Sequence, residues 1–322
     1  MKILALGGAL DHEGTKQAFA RLENDEDDQI YLDDSDLTDK QLSQIDILLG
    51  IKPGVLDRFF RLQESRLKWI QAYSAGVDYF PLAELEKRGI LLSNVSGIHA
   101  EPIAETVLGL MLSQFRGLNC ATINQLKSTW QPASSSYALL SGKTLVVFGT
   151  GHIGERVAEL GKAFKMNVVG VNHSGHPVAA FSKTIAINDN EDPSLVNADV
   201  IVNALPLTKE TTAFYDSQFF NRLESAPMFI NIGRGPSVQT ADLLAAVKTG
   251  KLGSAALDVT DPEPLPADDP LWQTPHVTIT PHVSGMYHEY SSDVIRIFQQ
   301  NLRQFKKDGT LARNQVDLDK GY

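Results

Sequence analysis

Three charged residues follow apolar, strand-like runs: Arg234 after Met228–Ile232, Glu263 after the run ending at Val259, and His282 after Val277–Thr280. In an open parallel α/β sheet, ligands bind outside the carboxyl ends of the strands, so residues in that position share one crevice. Their types suit reduction of a carbonyl. As a hydride reaches the carbon, the oxygen needs a proton, which an imidazolium at His282 can give. A neighbouring carboxylate, Glu263, favours the charged ring. The planar guanidinium of Arg234 can bind carboxylate and carbonyl oxygens as a fork. Taken singly, an ion pair at Arg234 and a surface charge at Glu263 are the simpler readings. Their shared placement favours the catalytic one. Two histidines have near-identical neighbours, Thr-Pro-His276-Val and Thr-Pro-His282-Val. His276 precedes its strand and reads as a surface turn, whereas His282 follows the strand at the ligand end.

A glycine loop accompanies them. Leu145-Val146-Val147-Phe148 runs into Gly149-Thr150-Gly151-His152-Ile153-Gly154, a G-x-G-x-x-G between a strand and a helix. Gly149 permits the tight turn, Gly151 lets a pyrophosphate approach the backbone, and Gly154 lets the helix pack on the strand. The phosphates of a dinucleotide then sit at the positive end of the helix. The glycines Gly7, Gly8 and Gly14 have the wrong spacing. At the end of the next strand, where an acidic residue would hold the ribose of NAD, stand Asn172, His173 and Ser174. These can donate hydrogen bonds to a 2′-phosphate, and no arginine accompanies them. NADP is favoured over NAD, with both left open. Asp258 ends another strand. Acceptance from the nicotinamide carboxamide and a helix-cap or ion-pair role are both open for it.

The elements that position these residues alternate between strand and helix. Strand-like runs at Met1–Leu6, Ile45–Gly50, Leu67–Tyr73 and Ile90–Asn94 alternate with helical segments such as Leu56–Gln63 and Pro81–Arg88. A long helix is expected over Glu101–Asn119. From Gly142 a second and more regular series follows: Thr144–Phe148, helix Glu155–Phe164, Asn167–Val171, Val200–Ala204, Met228–Ile232, helix Ala241–Thr249, Ser254–Val259 and Val277–Thr280. Strand-then-helix repetition implies parallel sheets, here two. The helical tail Tyr287–Phe305 comes after the second sheet is complete, so it is expected to return to the first domain. The expected division is 1–98 with 287–322, and 99–286.

Bulk properties exclude several partners. The chain has 322 residues and a formal net charge of −10, which disfavours nucleic acid and anionic membranes. Part of the acidity lies in Glu23–Asp36, read as a solvated loop or strand edge. One cysteine, Cys120, excludes an internal disulfide and a cysteine zinc site, and points to a reducing compartment. No signal core or bilayer-length apolar run is evident, so a cytoplasmic protein is expected. His99, His152 and His288 show no metal-ligand spacing. Trp130 and Trp272 are read as packing residues, and Lys52, at a strand end, as a surface lysine.

The motifs together resemble the D-isomer-specific 2-hydroxyacid dehydrogenases, a group that includes phosphoglycerate dehydrogenase and the glyoxylate/hydroxypyruvate reductases. The resemblance is carried by Gly149–Gly154, Ala204-Leu-Pro-Leu-Thr208, Asn231-Ile-Gly-Arg-Gly235, Ala256-Leu-Asp-Val259, Pro262-Glu-Pro-Leu-Pro266, Pro270-Leu-Trp272 and Thr280-Pro-His-Val-Ser-Gly285. Upstream, Ser74-Ala-Gly-Val-Asp78, Asn94 and Ile103-Ala-Glu105 also fit, while residues 1–70 carry little. It implies a catalytic trio of Arg234, Glu263 and His282, and a substrate carboxylate held by the N–H groups of Ala75, Gly76 and Val77 beside Arg234 and His282. It also implies a central Rossmann NAD(P)-binding domain inserted in a discontinuous flavodoxin-like substrate domain, and a homodimer. Further cofactor contacts are expected at Leu205, Pro206, Thr211, Ile232, Asp258 and Thr106. Asn172 departs from the acidic residue of many members. Lys165 and Ser254 stand where glycine is common. The 2-oxo acid is not fixed by the sequence: glyoxylate, hydroxypyruvate, 3-phosphohydroxypyruvate and branched acids all remain. The alternative activity is a nicotinamide-sensing, co-repressor-like binding protein. Formate oxidation is disfavoured because it would leave Glu263 idle.

Overall fold

The computed structural model describes residues 1–6, 28–132, 137–189 and 191–320. Gly7, Gly8 and Gly14, and the acidic residues Glu23, Asp25, Glu26 and Asp27, lie outside the described residues. The chain divides into two compact units, Met1–Ile98 with Tyr287–Tyr322, and His99–Met286.

Unit 1 holds a five-stranded sheet in the order β2-β1-β3-β4-β5. Its strands are β1 Lys2–Ala5, β2 Gln29–Tyr31, β3 Ile47–Leu49, β4 Trp69–Gln71 and β5 Leu91–Ser93. Every pairing is parallel, and the order 2-1-3-4-5 is the flavodoxin-like one. Strands β3 and β4 are buried on both faces, which is why they read as continuous apolar runs. Among the described residues three helices connect them: α1 Asp39–Leu42, α2 Val55–Arg61 and α3 Leu82–Lys87. Alternate residues then sort to opposite faces. Leu4, Leu48 and Ile70 meet Phe59 and Leu85. Ile3, Ile47, Leu49 and Trp69 meet Phe298, Leu302 and Phe305 of the last helix. Trp69 stacks on Phe298 with ring centroids 5.1 Å apart, and its Nε1 donates to the buried Ser93 Oγ at 2.8 Å. Burial of large apolar side chains contributes about 1.5–3 kcal/mol each, enough to hold the tail on this unit.

Unit 2 holds a seven-stranded parallel sheet in the order β12-β11-β10-β9-β6-β7-β8. The strands are β6 Thr144–Phe148, β7 Asn167–Asn172, β8 Lys183–Ala186, β9 Val200–Asn203, β10 Met228–Asn231, β11 Ser254–Leu257 and β12 Val277–Ile279. The helices in chain order are α4 Ala100–Phe115, α5 Leu118–Leu126, α6 His152–Ala163, α7 Pro193–Val196, α8 Ser217–Asn221 and α9 Thr240–Thr249, with α10 Tyr290–Asp308 closing unit 1. One face of the sheet packs on α4 and α6 through Ile103, Val107, Met111, Val157 and Ala158. The other packs on Phe219, Phe220, Leu243 and Ala246. The strand order reverses at β6, between β9 and β7, and that reversal is where ligands bind in doubly wound sheets.

The two-sheet α/β expectation holds, with three corrections. The sheet-edge strands β2 and β8 were not anticipated. The helix expected over Glu101–Asn119 is two helices, because Gly117 takes φ 67° and breaks it. The tail helix begins at Tyr290 rather than Tyr287. The acidic stretch also departs from a purely solvated reading: the Asp28 side chain is buried and pairs with Lys306 of α10 at 2.6 Å.

Candidate active site

The glycine loop joins β6 to α6. A Cβ on Gly154 would lie 1.9 Å from the Gly149 carbonyl oxygen, so only glycine lets α6 start this close to the strand. A Cβ on Gly151 would meet nothing within 4 Å. Gly151 is the N-cap of α6 and supplies no side-chain cap. The loop therefore fits a pyrophosphate. Thr150 Oγ1 accepts from Asn172 Nδ2 at 3.2 Å, which ties the loop to the end of β7.

Asn172 itself corrects an expectation. It is buried. Its Nδ2 also donates to the His176 carbonyl at 3.0 Å, and its Oδ1 accepts from Gly175 N at 2.7 Å. The amide is spent on shaping the turn and is not free to meet a 2′-phosphate. His173, Ser174 and His176 are the exposed residues of that turn.

Arg234, Glu263 and His282 stand after β10, β11 and β12 respectively. The His282 ring and the Glu263 carboxylate are joined, Nδ1 to Oε2, at 2.8 Å. Glu263 Oε1 accepts from Thr260 N at 3.0 Å, which fixes the carboxylate within its turn. The Arg234 turn packs directly on the Glu263 turn: a Cβ on Gly235 would lie 1.9 Å from the Thr260 carbonyl oxygen. His276 lies at the opposite end of β12.

A buried polar network anchors Arg234. Its carbonyl accepts from Asn231 Nδ2 at 3.1 Å and Ser237 Oγ at 2.6 Å. Asn203 Nδ2 donates to Asn231 Oδ1 at 2.8 Å and to Ser237 Oγ at 3.0 Å, and Tyr215 donates its hydroxyl to Asn203 Oδ1 at 3.0 Å. Burial pushes the Tyr215 phenol well up, so it stays a donor. Sequence reasoning missed this network. Its members look like ordinary strand-end polar residues until the strands are aligned.

Asp258 is 2 % exposed. It holds the turn that carries His282. Its Oδ1 accepts from Thr280 Oγ1 at 2.6 Å and Val283 N at 3.0 Å, and its Oδ2 takes the Ser284 hydroxyl and, at 3.1 Å, the Ser284 N–H. Thr106 Oγ1 donates to the Ser284 carbonyl at 3.4 Å. Thr211, expected at the cofactor, donates instead to Pro206 O at 2.7 Å and accepts from Thr208 N at 2.7 Å; it closes its own loop and is buried. Leu205 and Pro206 follow β9, and Ile232 is buried at the end of β10.

In unit 1, the loop after β4 carries Ala75, Gly76 and Val77. Their carbonyl groups are all engaged: Asn94 Nδ2 donates to Ala75 O at 2.9 Å, Ser74 Oγ to Gly76 O at 2.7 Å, and Phe80 N to Val77 O at 3.0 Å. Among the described residues their N–H groups meet no acceptor. Lys52, after β3, pairs with Asp33 at 3.0 Å and Asp34 at 3.6 Å. The ammonium holds the Asp33 carboxyl down at about 2.

Residues 108–284, more than half of the chain, match the D-isomer specific 2-hydroxyacid dehydrogenase, NAD binding domain. The chain belongs to the D-isomer-specific 2-hydroxyacid dehydrogenase family. It is 40% identical to phosphoglycerate dehydrogenase from Lactobacillus plantarum, over 98% of this chain and 100% of that one, with a TM-score of 0.59. It is 32% identical over 228 residues to glyoxylate/hydroxypyruvate reductase B of Citrobacter koseri, covering 70% of each chain. A probable 2-hydroxyacid dehydrogenase from Rhizobium etli CFN 42, solved with NADP, HEPES and L(+)-tartaric acid, superposes at a TM-score of 0.81 with 27% identity, over 100% and 99% of the two chains. The protein is thus an NAD(P)-dependent oxidoreductase of 2-hydroxy acids.

One titratable neighbour of Arg234 was not expected at this site. His99 precedes α4, and a Cβ on Gly285, three residues past His282, would lie 2.8 Å from its ring. Burial, with the Arg234 charge adding, pushes the imidazole down from 6.5 to about 4. The ring is neutral at physiological pH and adds no second positive charge beside Arg234. A depressed histidine gives stability that is present above 6.5 and is lost as pH falls towards 4. The loss is at most about 3 kcal/mol. In His99→Gln the urea midpoint should fall less over that interval than in the wild type; parallel curves would remove His99 as a cause. Among the described residues no group of three His, Cys, Asp or Glu side chains could hold a metal ion, and no helix is long and apolar enough to cross a membrane.

Proposed function

We propose that this dehydrogenase reduces glyoxylate, hydroxypyruvate or a similarly small, singly charged 2-oxo acid to the D-2-hydroxy acid, using NADPH in preference to NADH. The observation that carries the reading is the His282–Glu263 pair at 2.8 Å, set at the strand ends beside the Arg234 turn. With Nδ1–H donated to Glu263, His282 presents Nε2 to the substrate. The nicotinamide, when bound, supplies the hydride. The protonated ring gives its Nε2 proton to the carbonyl oxygen, and Glu263 stabilises the charged ring before transfer. The Arg234 fork binds the carbonyl and acid oxygens and fixes their orientation. Ala75, Gly76 and Val77 hold the acid group through their amides. His173, Ser174 and His176 receive the 2′-phosphate, in line with the NADP of the Rhizobium etli relative. The glycine loop, Leu205, Pro206 and Ile232 line the dinucleotide. The restriction to a singly charged acid comes from Lys52, whose ammonium is already engaged by Asp33 and Asp34 and offers little to a phosphate.

The test is loss of reduced-nicotinamide absorbance with a panel of 2-oxo acids, using NADH and NADPH separately. Fast turnover of glyoxylate or hydroxypyruvate with NADPH is expected, and weak turnover of 3-phosphohydroxypyruvate. Cofactor binding without turnover of any acid would overturn the enzymatic reading in favour of a sensor.

The enzyme works as a homodimer in the cytoplasm, a setting that suits its single thiol. Helix α5 buries none of its residues. Leu118, Ile123, Leu126 and, beyond the helix, Trp130 and Leu139 are exposed, with Leu126 at 83% and Trp130 at 101%. Exposed large apolar side chains of this kind suit a protein partner, and a second copy is proposed here. Light scattering should give about twice the 35.3 kDa chain mass, and Leu126→Asp with Trp130→Asp should return the monomer. A wild-type monomer at micromolar concentration would refute the dimer.

A further inference from the structure

We infer that two tyrosine hydroxyls, Tyr290 on the last helix and Tyr79, position the 74–77 loop and thereby set the enzyme's affinity for the acid group of its substrate. The inference rests on the proposed carboxylate role of Ala75–Val77. A peptide unit is planar and trans, so fixing a carbonyl fixes the N–H of the next residue in the opposite direction. Each unit of this loop is fixed from its carbonyl side. Val95 N donates to Ser74 O at 3.2 Å, which aims the Ala75 amide. Asn94 Nδ2 donates to Ala75 O at 2.9 Å, which aims the Gly76 amide. Ser74 Oγ donates to Gly76 O at 2.7 Å, which aims the Val77 amide. Ser74 Oγ has one proton, already given to Gly76 O, so in its 2.7 Å contact with Tyr79 the tyrosine is the donor. Upstream, the Tyr290 hydroxyl donates to the Tyr73 carbonyl and fixes the peptide that carries Ser74. Without that bond the 73–74 unit can rotate, and Ser74 loses its aim at Gly76.

These tyrosines are positioning residues. The Tyr290 hydroxyl bonds the Tyr73 carbonyl, and the Tyr79 hydroxyl bonds Ser74 Oγ. The Tyr290 ring packs edge-on against Tyr287 at 5.8 Å, beside Val95, Val294 and Ile297. Phenylalanine at 290 keeps that packing and removes only the hydroxyl. Tyr287 supplies the control, because its hydroxyl donates to Asp293 Oδ2 at 2.7 Å within the same helical region and does not reach the loop.

The experiment compares wild type, Tyr290→Phe, Tyr79→Phe and Tyr287→Phe. It records kcat and KM for the 2-oxo acid, calorimetric affinity for oxamate on the NADP(H)-saturated protein, and melting temperature. Loss of one neutral hydrogen bond predicts a rise of about 3–10-fold in KM for each of the first two variants. Oxamate affinity should fall by a similar factor, with kcat within about twofold of wild type and Tyr287→Phe unchanged. Unaltered KM and oxamate affinity in Tyr290→Phe would overturn the inference. So would a KM rise in Tyr287→Phe equal to that in Tyr290→Phe, since a general loosening of the helix would then be the cause. Failure of the functional reading shows separately, as a wild type that turns over no 2-oxo acid; oxamate binding then still reports on the loop. Oxamate that does not bind the wild type overturns both.

Discussion

His282→Ala should lower kcat for 2-oxo acid reduction by about 10²–10⁴, the usual worth of a positioned acid, while dinucleotide affinity stays near wild type. The ring is exposed, and its backbone is held independently: His282 N donates to Asp258 O at 2.8 Å, and the turn around it hangs on the buried Asp258 carboxylate through Thr280, Val283 and Ser284. Removing the side chain therefore takes away the proton donor and leaves the turn in place. The loss should appear in kcat more than in KM, because the donor acts as charge develops on the carbonyl oxygen. A variant retaining more than a tenth of wild-type kcat would transfer the acid role to another group. Stopped-flow decay of the reduced nicotinamide under single-turnover conditions makes the comparison clean, since it excludes product release.

Arg234→Gln should be the second severe change. A fork to the substrate supplies two charge-assisted hydrogen bonds, each worth about 1.5–3 kcal/mol. Losing both lowers kcat/KM by about 10²–10⁴. Arg234→Lys keeps the charge and loses the planar fork, so it should fall between Gln and wild type, with most of its deficit in kcat, where orientation counts. The backbone at 234 is held by Asn231 and Ser237, so neither change should lower the melting temperature by more than a few degrees. Equal activity of Lys and Arg at this position would show that charge alone is used. Removal of the Arg234 charge should also relieve part of the downward push on His99, for which burial is the larger cause.

Much of this was legible in the residues. The glycine loop announces itself because Gly149 and Gly154 answer local steric demands at the required spacing, and a strand and a helix flank it in sequence. The proposed trio comes from asking which charged residues follow strands, a rule that rests on parallel strands putting all their carboxyl ends on one edge. The same rule separated His282 from His276. The edge strands β2 and β8 were not seen; three- and four-residue segments with polar members carry too little periodicity to register. The break at Gly117 was missed because the apolar spacing of α4 runs on into α5, where the same residue types face outward.

The assignments that needed tertiary structure are those of the supporting polar groups. Asn172 and Thr211 sit where a cofactor contact is reasonable, but each side chain is consumed by its own turn. Asp258 braces the His282 turn, Asn203 and Tyr215 brace Arg234, and Tyr290 reaches a loop more than two hundred residues away in sequence. The sequence by itself determined which chemistry the protein carries and on which end of its sheets, because side-chain type and strand order are local properties. Only the tertiary structure decided which polar atoms are already satisfied and which remain to meet a ligand. A hydrogen bond is used up by whichever partner the fold brings within about 3 Å, and no spacing along the chain reveals that partner.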